Sequence, residues 1–344
     1  MNKSCLIGFL MCSAFSLVVQ AATDGAHITK TISQIERKKG IKRTIQYRPD
    51  GNDFVCVNGK NRYTRALYGG ITDFRIETSD RPVFATYKPK DSKHICFRLQ
   101  CGNQSIALDS LKFCEARYRA GRRTYRLTDP LLGKGELNIS VLAFPDAEGG
   151  IWRFTMKDMP EGALLHCYIS EIRAKNLSRN GDMGADRADS FDAPQLPKEQ
   201  KHYKLSLDGT TAYIVVEDQE LRLPALVEGT SLYDKSEKWR SEIESSLQIS
   251  TPDPYFNPLG GALAAAADGI WDGKIWLHGA IGWRSQLNGW RAAYIGDFIG
   301  WHDRARTHFD SYAASQVTDV PATIPHPTQD TALHLARSVK KWGT

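Results

Sequence analysis

From Phe54 to Leu226 the chain keeps returning to one unit, a short run of strand-forming residues bounded by turn formers. Residues 137–143 and 150–156 alternate cleanly, the period of two that puts side chains on opposite faces of a strand, and the other short runs between turn residues read as β-strands as well. The runs fall at 54–57, 74–77, 83–87, 95–99, 137–143, 150–156, 164–172, 203–207, 212–217 and 221–226. Residues 116–119 and 124–127 flank Ala120-Gly121-Arg122-Arg123 and predict a hairpin. So many short strands at this spacing predict a large antiparallel β-sandwich over residues 22–227, ample for its own hydrophobic core.

The pattern then changes. Residues 228–250 are charged and predict a linker helix with Trp239 turned inward. Beyond them, five of the eight tryptophans (Trp271, Trp276, Trp283, Trp290 and Trp301) crowd into 31 residues. Asp253-Pro254 is a helix-start signal and Asp268-Gly269 a stop, which predicts one helix between them. A second helix is predicted over 290–316. On it Trp290, Tyr294, Asp297, Trp301, Arg304, Ala305, His308 and Tyr312 share a stripe about 100° wide. Aromatic rings offer apolar faces to the C–H faces of sugars, and Asp and Arg hydrogen-bond hydroxyls or carboxylates. The same stripe also reads as packed core, with Asp297 and Arg304 as a buried structural pair.

At the front, Lys3 followed by a mostly apolar stretch and Val19-Gln20-Ala21 reads as a signal peptide over residues 1–21. This predicts export, to the periplasm of a Gram-negative bacterium, with no membrane anchor after the signal is removed. Five cysteines then remain, Cys56, Cys96, Cys101, Cys114 and Cys167, without CxxC or Cys/His metal spacing. They read as buried free thiols, with one disulfide left open; alternation puts Cys96 and Cys101 on opposite faces of one strand. The net charge of +6 (45 basic, 39 acidic residues) is scattered, which leaves no nucleic-acid footprint. A mild excess of this sign would favour acidic glycans. The long polar loop 176–197 carries Asp182, Asp186, Asp189 and Asp192. Its spacing matches no calcium loop, and it reads as a cap on one sheet edge or as a segment docking on the helices. No phosphate loop, zinc motif or dinucleotide fingerprint occurs, so neither metal nor cofactor is expected.

The stretches DPYFNPLGGALAAAADGIW, HGAIGWR and GWRAAYIGDFIGWHDRARTHFDSY resemble the opening helical hairpin of the six-hairpin (α/α)6-barrel glycosidases. More narrowly, with NGKNRYTRALYGG, FRIE and DPLLGKGELNISVLA upstream, the chain resembles a Bacteroidetes domain-of-unknown-function family (the 4450 type) attached to enzymes of polysaccharide breakdown. The resemblance implies a super-sandwich at 22–227, the linker at 228–250 and the start of an α/α toroid at 251–344. The 91 residues from Pro254 onward fall short of the roughly 200 that twelve helices need, so the barrel reads as incomplete. The implied function is an exported glycoside hydrolase, or its N-terminal portion, acting on a complex polysaccharide or its oligosaccharides. The alternatives are a non-catalytic carbohydrate-binding or scaffold module, or an inactive remnant. On the hydrolase reading Asp297 is the candidate catalytic acid, its pKa raised by burial. Trp283, Trp290 and Trp301 would be stacking platforms, Arg291 and Arg304 substrate contacts, and Tyr294, His278 and His302 further binding groups. Glycoside hydrolysis needs two carboxyl groups, roughly 5 to 9.5 Å apart, and no partner for Asp297 is apparent.

Overall fold

A computed structural model describes residues 46–88, 90–175, 177, 188–194, 201–277 and 289–314. The expected signal peptide, most of the polar loop, His278, Trp283 and everything after Ala314 lie outside the described residues. Fifteen strands form among the described residues, all antiparallel, twelve of them at the predicted runs and three, at 48–50, 65–68 and 104–107, outside them; helices follow, so the chain is β plus α.

The first sheet contains β1 (Arg48–Asp50), β2 (Asp53–Val57), β8 (Phe113–Arg119), β9 (Arg122–Thr128), β10 (Glu136–Ala143), β11 (Gly149–Lys157), β14 (Thr211–Glu217) and β15 (Glu220–Arg222), hydrogen-bonded in that order. The second runs β13 (Lys201–Ser206), β12 (Leu164–Glu171), β6 (Lys93–Cys101), β5 (Val83–Tyr87), β4 (Arg75–Thr78), β3 (Arg65–Tyr68), with β7 (Gln104–Ala107) also paired to β6. The inward side chains of both sheets merge in one core. Phe84 of the second sheet meets Trp152 and Tyr125 of the first edge-on, at 5.7 Å between centroids, and Phe97 meets Phe154 at 5.5 Å. Such tilted contacts add to what burial of the rings already contributes. At the end of β3, Gly69 and Gly70 pass so close to the β10–β11 loop that a side chain on either would collide with the carbonyls of Phe144 and Pro145. The Gly70 N–H donates to the Phe144 carbonyl at 3.1 Å.

All five cysteines expected in the mature chain are free. Cys101 packs against the core while Cys96, five positions away on β6, faces outward, as alternation requires. Burial raises the thiol pKa of both Cys96, to about 11, and Cys114, to about 12. The described part of the polar loop does not reach the helices. Phe191 inserts among Tyr63, Val83, Ala85 and Tyr87 on the outward face of the second sheet, and Arg62 and the Tyr63 hydroxyl both donate to Asp192. An aromatic side chain in a loop of acids supplied the anchor, which charge patterning alone does not reveal.

The last expected strand is cut short, because the chain turns at residues 223–225 into α1 (Leu226–Ser245). Its buried positions, Gly229, Tyr233, Ser236, Arg240 and Ile243, recur at three- and four-residue intervals and face β10, β11 and β14. Gly229 permits this approach, since a Cβ there would run into the Tyr213 ring. The next helix, α2 (Leu259–Asp268), begins later than expected: Asp253 caps a turn by accepting from the Tyr255 N–H at 2.9 Å, and Pro258 precedes the first helical residue. It ends at Asp268, as expected.

The predicted single helix over 290–316 is two helices, α3 (Gly289–Phe298) and α4 (His302–Ala314). Gly300 adopts φ +84°, the Trp301 N–H donates to the Gly296 carbonyl at 2.7 Å, and the Gly300 N–H donates to the Asp297 backbone carbonyl at 3.2 Å. This pair of bonds closes the end of α3 as a Schellman cap. The eight-residue stripe is therefore broken at its centre. No described helix is long and apolar enough to cross a membrane.

Candidate functional site

The β8–β9 hairpin carries its sharpest turn at Ala120-Gly121, with φ of +38° and +88°, the two positive values a two-residue turn of this kind demands. The tip projects toward the helices and is clamped there. Arg119 Nε donates to Glu244 at 2.7 Å, Arg122 to Glu237 at 2.8 Å, and Arg240 reaches the Ala120 carbonyl at 3.4 Å. Between tip, β3, α1 and α2 lies a cavity of about 180 Å³.

Its wall is mixed in chemistry. Tyr68 and Tyr118 from the sheets and Trp239 from α1 supply aromatic surface; Arg65, Arg240 and Asp268 supply charge. Ala265 and Ala266 keep α2 slim where it faces the space. Gly269 lets the end of α2 lie against Tyr68, since a Cβ there would come within 2.7 Å of its ring. Arg240 is held by Glu237 and Glu244, each at 2.7 Å. Arg65 donates to the Thr64 carbonyl at 2.6 Å, with its guanidinium carbon 4.8 Å from the Tyr47 centroid and 5.9 Å from Tyr118.

Asp268 joins this cavity to the tryptophan cluster. Its side chain is 7% exposed and accepts from Arg304 Nη1 at 2.7 Å. Burial pushes its pKa above the ordinary carboxylate value, and the hydrogen bond and charge of Arg304 pull the other way. The Arg304 guanidinium lies 4.3 Å from the Trp301 ring and 5.7 Å from Trp271. Trp271 and Trp276 face each other across a tight turn held by the Asp272 carboxylate, which accepts from the N–H groups of Lys274 and Ile275. Trp276 is buried; its indole N–H donates to the Ala267 carbonyl and its backbone N–H to His308 Nδ1, both at 3.0 Å.

Of the residues expected at a site, Trp301 and Arg304 are brought together with Asp268. Asp297 is not buried, and the expectation of a buried Asp297–Arg304 pair is corrected. The cap at Gly300 turns Asp297 outward, where it binds His302 Nδ1 at 2.8 Å with both side chains 69% exposed. Tyr294 is also exposed. Trp290 and Arg291 fall in the first turn of α3, and their side chains lie outside the described set. Sequence reasoning misses the contribution of the β part: Tyr118 falls in a predicted strand, while Arg65 and Tyr68 lie on β3, which no predicted run covers. Among the described residues no group of three or more His, Cys, Asp or Glu side chains is placed to hold a metal ion.

The model of a domain of unknown function (DUF4450) matches residues 89–216. This span lies within the two-sheet part and supports a domain-of-unknown-function family for it. No curated protein matches the chain.

Proposed function

We propose that the chain is an exported carbohydrate-binding component of polysaccharide breakdown, with the cavity beside Asp268 as its sugar subsite. The observation that carries this reading is the wall: two tyrosines and a tryptophan beside two arginines and one buried acid. Flat aromatic surface with a few fixed hydrogen-bonding groups suits a sugar ring, and about 180 Å³ suits a single small ring. On this reading the paired sheets are a sandwich, and the helices are the opening of an (α/α)6 toroid. The exposure of Leu263, Phe298 and Phe309 on those helices, and of Phe256 in the turn before α2, favours such an origin, because a toroid buries these faces against further hairpins.

Binding is favoured over hydrolysis by the wall itself, in which Asp268 is the sole carboxylate among the described residues; glycoside hydrolysis needs two. The burial that raises the Asp268 pKa favours a second reading, a glycoside hydrolase in which Asp268 is the general acid. Calorimetric titration of the intact chain with plant and host oligosaccharides, alongside a reducing-end assay, tests both. Saturable binding that weakens at least about tenfold in Trp239→Ala is expected. A chain that binds no glycan overturns the proposal, and product release abolished in Asp268→Asn establishes the second reading in its place.

A further inference from the structure

The charges in the cavity wall do not balance. Asp268 is answered by Arg304, and Arg240 by Glu237 and Glu244. Arg65 has no acidic partner among the described residues. We infer that Arg65 makes the cavity selective for an acidic sugar, a hexuronate whose carboxylate pairs with this guanidinium. The inference rests on the reading of the cavity as a sugar site and deepens it.

Geometry supports a planar anion there. The rings of Tyr47 and Tyr118 lie 4.8 and 5.9 Å from the guanidinium carbon, which fixes the group in place. One Nη1–H is used on the Thr64 carbonyl, and the remaining N–H groups form the fork that matches a carboxylate. Arg65 is half-buried, so an ion pair formed in the cavity is less screened than one on the surface. Tyr68, Tyr118 and Trp239 supply the apolar surface for the ring that bears the carboxylate.

Titration calorimetry of the intact chain with galacturonate, glucuronate, galactose, glucose and acetate tests this. The uronates are expected to bind at least about tenfold more tightly than the neutral hexoses or acetate. Arg65→Gln is expected to abolish that preference, and Arg65→Lys, which keeps the charge without the fork, to retain part of it. Should Arg65→Gln fail to fold, loss of the preference in the unmodified chain with rising ionic strength is the second readout. Equal affinity for uronates and hexoses overturns the inference and leaves the sugar site standing. Acetate binding as tightly as the uronates overturns it in favour of a simple carboxylate site. Binding of none of the sugars overturns the underlying reading as well.

Discussion

The Asp268 carboxylate accepts a hydrogen bond from Arg304 Nη1 at 2.7 Å, tying the last residue of α2 to the first turn of α4 across 36 positions of sequence. Arg304→Ala would leave a carboxylate buried without its counter-charge, a loss of about 2–3 kcal/mol at neutral pH. The pKa of Asp268 is already raised by burial, and removing Arg304 raises it further. A carboxyl group that holds its proton more tightly when folded favours folding at low pH and loses that contribution as pH rises through its folded pKa. The defect should therefore be smaller at pH 4 than at pH 7, measured by urea denaturation at both.

Gly70→Ala should cost about 2–3 kcal/mol, because the obstacle to a side chain is the Pro145 backbone carbonyl rather than a movable side chain. A drop in thermal midpoint without a change in the far-ultraviolet spectrum at low temperature is the expected result.

Gly296→Ala aims a methyl at the buried Trp276 ring and should displace it. A loss of about 1–3 kcal/mol, with a red shift of the tryptophan emission as the indole is exposed, would report this.

Asp297→Asn, by contrast, alters an exposed pair with His302 and should change stability by less than about 0.5 kcal/mol. Glycan affinity of the cavity should be unchanged by calorimetry.

His166 Nδ1 lies 2.7 Å from His202 Nε2, and its other nitrogen lies 2.7 Å from the Gln100 side-chain oxygen. Burial lowers the His166 pKa, as do His202, Lys204 and Arg98. As pH falls through the ordinary imidazole value of 6.5, the unfolded chain takes up the proton first, so stability falls until the lower folded pKa is passed. His202→Gln removes one of those causes and should flatten the decline in denaturation midpoint from pH 7 to pH 5.

Many of the strands were legible because short runs between turn formers are a local property. Residues 83–87 were bounded correctly although all five are buried, and the hairpin was placed, its turn narrowing from residues 120–123 to Ala120-Gly121. The break between α3 and α4 was also written locally, as Gly300 after Phe298-Ile299, but the spacing of Asp297, Trp301 and Arg304 kept helical phase across it and hid the cap. Asp268 was read as helix punctuation. Its burial comes from Arg304 and from a sheet edge some two hundred residues upstream in sequence, and no periodicity encodes such an encounter. The same holds for Arg65, which has no acidic partner among the described residues once the chain has folded.

The clamped hairpin tip makes the two parts of the chain inseparable as units of inheritance. Tyr68, Tyr118 and Arg65 lie on one side of residue 250, and Asp268, Ala265 and Ala266 on the other. A recombination event that moved the helices onto a different β scaffold would carry away half a wall and leave the other half facing solvent. Substitutions at Gly121 and Ala265 should therefore covary across lineages, although they belong to segments that a division by secondary structure would assign to different modules.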